Sequence, residues 1–99
     1  MTVKWTSKTI TMEYGASDYL GADNGPRMGY ETYRWAGHDK LRDRWLECVS
    51  RRRKALETPD EDRDEIWVSD YEQIMSWRAN ILDTIRETLP VWRKYWINA

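Results

Sequence analysis

The chain has 99 residues, the length of one small domain, with 33% charged residues and a net charge of -1. A single Cys excludes an intrachain disulfide, and one His with one Cys cannot supply a zinc site of those ligands. No apolar run approaches the roughly 18 residues of a membrane span, and the stretch from Met1 to Thr6 lacks a signal-peptide core. The expectation is one soluble, cytoplasmic domain spanning 1–99, with no membrane segment.

Seven Trp and six Tyr stand beside no Phe at all. Leu, Ile and Val are sparse, so indole and phenol rings must supply much of the buried apolar area. Each ring buries roughly 150–250 Å² and keeps a polar group that needs a partner. The charge is also divided. Residues 1–56 carry +4 and residues 57–99 carry -5.

In chain order, Ile10, Met12 and Tyr14 alternate with Thr9, Thr11 and Glu13, the two-residue period of a half-buried strand. Val3 and Trp5 alternate in the other phase, so a bulge or bend is expected near Thr6 and Ser7. Gly15, Gly21, Gly25 and Pro26 punctuate a long loop, with Asp23-Asn24-Gly25 as its turn signal. Residues 29–35 read as a second strand, with Tyr33 and Trp35 on one face. Leu41, Trp45, Cys48, Val49, Arg52 and Leu56 recur at helical spacing over 38–57. Thr58, Pro59 and Glu61 form a capping signal for a short acidic helix over 59–67. Ser69 and Glu72 form another, opening a long helix over 70–89. Its stripe is Tyr71, Ile74, Met75, Ile81, Leu82, Ile85 and Leu89, broken by Arg78. The spacing continues through Trp92 and Trp96 beyond Pro90, predicting a last short helix over 90–97. The fold class is therefore α+β: a small antiparallel β-ribbon (3–14 and 29–35) packed on two main helices (38–57 and 70–89), with short helices near 59–67 and 90–97.

No catalytic constellation emerges. His38 and Cys48 lie ten residues apart on one helix, roughly 15 Å of rise, beyond hydrogen-bond reach. Cys48 sits on the apolar stripe, where a buried thiol is the simpler reading. Asp60, Asp62 and Asp64 have the spacing that opens a calcium loop, but its sixth position holds Glu65 instead of Gly and its twelfth holds Tyr71 instead of Glu. No metal and no cofactor are expected, and the chain reads as a non-enzyme.

Three surfaces remain. The acidic run Asp60, Glu61, Asp62, Asp64 and Glu65 is most simply a solvated helix start, where the macrodipole favours carboxylates, and otherwise a patch for a basic partner. Lys40, Arg44, Arg51 and Lys54 align on one helix face that could track phosphates, although Glu47 sits within it and can pair with Arg44 or Arg51. Among the tryptophans, Trp45 and Trp92 are expected in the core. Trp77 lies off the main stripe of its helix and Trp67 follows the acidic helix; both are candidate partner contacts, together with Tyr19 of the loop. Arg52 and Arg78 each interrupt an apolar stripe, and so either snorkel, pair with a buried carboxylate, or face a partner.

The expected function is non-catalytic binding of a larger protein or protein complex, as in an inhibitor, adaptor or assembly factor. Small anti-CRISPR-like proteins, with which phages and mobile elements block host defence machinery, share this composition; the analogy is one of type, not of family. Nucleic-acid binding through the helix 40–54, with ring stacking from the β-ribbon, is the second reading. A self-assembling structural subunit, a homo-oligomer sharing the long helical stripe, is the third.

Overall fold

A computed structural model describes residues 1–18 and 27–98. The chain is α+β, with the elements β1 (Thr2–Trp5), β2 (Thr9–Tyr14), β3 (Arg27–Arg34), α1 (Asp39–Leu56), α2 (Glu65–Thr88) and β4 (Val91–Asn98). It divides into two compact units. One holds the strands, Met1–Gly37 with Leu89–Ala99, and the other holds the helices, His38–Thr88. No helix among the described residues is long and apolar enough to cross a membrane.

The strand unit is one antiparallel sheet in the order β1-β2-β3-β4, where a two-stranded ribbon was expected. The shift of phase near Thr6 is a hairpin turn rather than a bulge. Thr6 Oγ1 accepts from the amides of Lys8 (3.1 Å) and Thr9 (3.0 Å), and the Thr6 amide donates to the Thr9 carbonyl at 2.8 Å. A Thr hydroxyl that closes its own turn lets the chain reverse without Gly or Pro. Trp35 then holds the turn in place. Its amide donates to the Lys8 carbonyl and its indole N–H to the Thr6 carbonyl, both at 3.1 Å.

Register assigns the faces. Ile10 lies opposite Tyr33, Met12 opposite Glu31 and Tyr14 opposite Gly29, and side chains paired in this way share a face. Ile10, Met12, Tyr14, Tyr33 and Trp35 are all buried. The other face carries Thr11 and Thr32, whose hydroxyls hydrogen-bond at 2.8 Å. Strand β4 pairs with β3 from Arg27↔Asn98 to Tyr33↔Val91, with one irregularity at Thr32/Tyr33.

The expected helix over 90–97 is thus replaced by a strand. Pro90 ends the helix and its carbonyl accepts the Arg34 amide at 3.1 Å, so the chain re-enters the sheet at once. Tyr14 and Trp96 stack across Gly29, with ring centroids 5.2 Å apart. Trp92, expected in the core, is 45% exposed.

In the helical unit α1 runs as expected, and Gly37 precedes it at φ +81, a conformation that favours glycine. The acidic helix expected over 59–67 shrinks to a 3-10 turn, Asp60–Asp62, and α2 begins at Glu65 rather than near 70. Neither Thr58 nor Ser69 caps it. Asp64 does, since its Oδ1 accepts the Trp67 amide at 2.9 Å. Helix α2 returns alongside α1. Trp67 reaches Ala55, Ile74 reaches Cys48, and the Arg78 guanidinium lies over the Trp45 ring. Leu41, Trp45 and Cys48 of α1 and Ile81, Leu82 and Ile85 of α2 are buried. Met75, Ile74 and Tyr71 of the predicted stripe are half-buried, and Leu56 is exposed.

The crossing of β3 and β4 at Gly29 gives a direct test. A Cβ there would collide with the Tyr95 carbonyl oxygen and come within 2.9 Å of Trp96 Cα. Gly29→Ala is expected to destabilise the fold by about 2 kcal/mol or more, since overpacking forces backbone shifts. A thermal melt unchanged from the parent chain would contradict this register.

Candidate functional site

The connection between the two helices builds a concave feature. Helix α1 ends without a capping glycine, and Arg63 takes over part of that task. Its Nε donates to the Thr58 carbonyl at 3.0 Å, its Nη2 to the Leu56 carbonyl at 3.3 Å, and its Nη1 pairs with Asp60 at 3.0 Å. The carbonyls left over at a helix end are met by a guanidinium, a cation where the macrodipole favours one. Arg63 also lies 4.5 Å from the Trp67 ring centroid.

Trp67 is held from several sides. Its indole N–H donates to the Ala55 carbonyl at 2.9 Å, and its ring stacks on Tyr71 at 4.9 Å with an interplanar angle of 8°. Beside it opens a groove of about 640 Å³ lined by Arg51, Lys54, Trp67, Asp70, Ile74 and Trp77, among others. The Arg51 guanidinium sits 5.4 Å from the Trp77 ring centroid and pairs with Glu47 at 2.9 Å. Both rings are half-buried, so each keeps surface to offer while its position is set by intrachain contacts.

The structure sorts the sequence-predicted residues. Trp67 and Trp77 line one groove, and Arg51 and Lys54 of the proposed phosphate stripe line the same groove. Lys40 and Arg44 are exposed on α1 and are not among its lining. The stripe is therefore split, and Arg51 is partly neutralised by Glu47. The acidic run is also divided. Asp60 pairs with Arg63 and Asp64 caps α2, while Glu61, Asp62 and Glu65 are exposed. Asp64 and Glu65 line a second depression of about 500 Å³ with Arg63, Val68, Ser69 and Glu72. Tyr19 lies outside the described residues. Among the described residues no group of three or more His, Cys, Asp or Glu is placed to hold a metal ion.

Some groove residues escaped the sequence reading. Asp70 and Gln73 line it, and the signal for them was their position, one turn on from Trp67 and one turn before Trp77 on α2. Ile66, 71% exposed, and Val68, 44% exposed, are apolar residues at the start of α2 that also went unremarked.

Two titrating groups report on the space between the helices. Cys48 is buried and directs its thiol at the Ile74 carbonyl, 3.8 Å away. Burial pushes the thiol pKa up, against a weaker opposing pull from nearby arginines, so the nucleophilic thiolate is disfavoured. Burial lowers the pKa of Arg78, and the like charge of Arg52 lowers it further. Arg52 and Arg78 are half-buried, and neither has a carboxylate partner among the described residues. Of the options open from sequence, pairing with a buried carboxylate is not what the described residues show. Arg78 instead lies 5.5 Å from the Trp45 ring centroid.

No family model, no curated protein and no solved structure matches the chain.

Two outcomes follow from this geometry. Asp64→Ala is expected to cost about 1 kcal/mol in thermal or urea unfolding through loss of the cap, whereas Asp64→Asn retains most of that stability. Equal stability of both variants and the parent would remove Asp64 from the capping role. Cys48 is expected to resist maleimide labelling at pH 8 until urea unfolds the chain, and rapid labelling of the folded protein would contradict its burial.

Proposed function

We propose that the protein is a non-catalytic binding module that engages a larger protein through the α1–α2 groove. The observation that carries this reading is the convergence of Trp67 and Trp77 on one concave surface, with Arg51, Lys54 and Asp70 at their sides. Residues that carry most of the energy of protein interfaces are enriched in Trp, Tyr and Arg and sit in pockets that exclude water. Rings already fixed before binding lose little conformational entropy when a partner arrives. Charges of both signs beside the rings favour a partner of mixed charge over a uniformly anionic one. Occlusion of a surface on a larger host assembly, as by a phage- or mobile-element-encoded inhibitor, needs no reactive group and suits such a groove.

Affinity capture with tagged protein in a host-cell lysate tests the reading. The double variant Trp77→Ala, Lys54→Glu is expected to lose the captured partner while its melting temperature holds. Lys40→Glu with Arg44→Glu, on α1 but outside the groove lining, is expected to retain it. Loss of capture only in the second pair would move the contact onto the basic helix face and overturn the assignment.

A further inference from the structure

The strand unit carries a surface of its own. Register places Met28 beside Ile97, Tyr30 beside Tyr95 and Thr32 beside Arg93. These rows share the face of Thr11, opposite the one holding Ile10, Met12 and Tyr14. They repeat every two residues, about 7 Å apart along the strands. Arg34 continues the row beyond Thr32. The face is open: Met28 is 45% exposed, Tyr95 54% and Ile97 52%. Tyr30 and Tyr95 stack at 6.2 Å with an interplanar angle of 28°. Trp92, in the irregular stretch of β4, carries two guanidinium groups, Arg34 at 4.8 Å and Arg93 at 4.4 Å from its ring centroid.

The charges are one-sided. Lys4 is matched by Glu13 at 3.2 Å, but Arg34 and Arg93 have no carboxylate partner among the described residues. The strand segments 1–37 and 89–99 hold six Lys or Arg against four Asp or Glu, a net +2, whereas 38–88 carries -3. A two-fold contact would set this patch, with its unmatched positive charge, against a copy of itself, so self-pairing of this face is disfavoured. A row holding the exposed rings of Trp92 and Tyr95 beside guanidinium groups that have no carboxylate fits a ligand that has planar faces and anionic links between them.

We propose that this face of β3 and β4 is a stacking platform for single-stranded nucleic acid. Trp92 and Tyr95 are the exposed rings on which bases stack, with half-buried Tyr30 beside Tyr95, and Arg34 and Arg93, which lie over the Trp92 ring in the free chain, turn to phosphates when a base takes their place. Stacking of this kind tolerates any base, because every base has a π face, and an open antiparallel sheet presenting rings is a known geometry for it. A duplex hides its base faces, so unpaired strands are the preferred ligand.

Fluorescence anisotropy with fluorescein-labelled, mixed-sequence single-stranded DNA and RNA of about 12 nucleotides tests the proposal. Affinity is expected to fall as salt rises from about 50 to about 200 mM, and Arg34→Gln with Arg93→Gln should reduce the log–log slope by about 1.4, the value for two phosphate contacts on a single strand. Trp92→Ala and Tyr95→Ala should each weaken binding about tenfold, with Trp92→Phe retaining most of it. Both rings are exposed, so melting temperatures should hold; should Trp92→Ala not fold, Tyr95→Ala carries the test. Absence of binding at about 50 mM salt overturns the proposal. So does binding that ignores all of these substitutions, duplex bound as tightly as single strands, or poly-glutamate displacing the oligonucleotide at equal charge, which would assign the face to an acidic protein.

Discussion

The order of the sheet depends on the pairing of β3 with β4, which begins where the Arg34 amide donates to the Pro90 carbonyl. Pro90 cannot extend α2, and its carbonyl is presented to the end of β3 at the point where β4 must start. From there the ladder runs back to Arg27↔Asn98. The sheet is completed only after the chain has passed through both helices. Its last pairing is therefore the most distant in sequence and the most costly in loop closure. Gly29 is the matching constraint on β3, because the backbone of β4 passes where a Cβ would stand. Without that close approach Tyr14 and Trp96 could not stack over it.

That long-range pairing explains where local sequence patterns misled. Leu89, Trp92 and Trp96 stand three and four residues apart, so they extend the stripe of α2 and read as helix. The competing signal was the density of strand-favouring residues in Val91, Trp92, Tyr95, Trp96 and Ile97. Two-residue periodicity did not show it, because rings occupy both faces: Trp96 stacks on Tyr14 and Tyr95 on Tyr30. The turn at Thr6 was hidden for another reason. It has no Gly or Pro and is closed by a Thr side chain. At the start of α2, Thr58, Asp64 and Ser69 were all chemically able to cap, and the choice among them is set by Arg63 and Trp67 anchoring the connection to the end of α1. Helix α1 and strand β2 were legible because each buries one face at its own clean period. The groove was half legible: Trp77 stood out as a ring off the main stripe and Trp67 as a ring after the acidic run, but only the return of α2 along α1 brings Arg51 and Lys54 beside them.

The two surfaces differ in how their rings are held. In the groove, Trp67 spends its indole N–H on Ala55 and one face on Tyr71. What remains is a fixed edge in a concave setting, suited to a complementary protein side chain. On the sheet, Trp92 and Tyr95 stand about half exposed. The charges beside the rings also differ. The sheet face has unmatched arginines, whereas Arg51 in the groove answers to Glu47.

The absence of Phe and the abundance of charge belong to one physical arrangement. A Trp buries as much apolar area as any residue and adds a donor that can tie separate segments together. Trp35 ties the end of β3 to the β1–β2 turn, and Trp67 ties α2 to the end of α1. A Phe at either place would bury a ring and leave a carbonyl without its partner, a cost of about 1–3 kcal/mol where water is excluded. Four of the tryptophans also offer a face to a guanidinium: Arg34 and Arg93 at Trp92, Arg51 at Trp77, Arg63 at Trp67 and Arg78 at Trp45. Arginines placed in this way cover apolar surface with their stems while their charged ends lie on π density. A chain in which a third of the residues are charged can thereby enclose its rings with few aliphatic residues, and half-buried cations such as Arg78 persist in it without a carboxylate because an indole face takes that place.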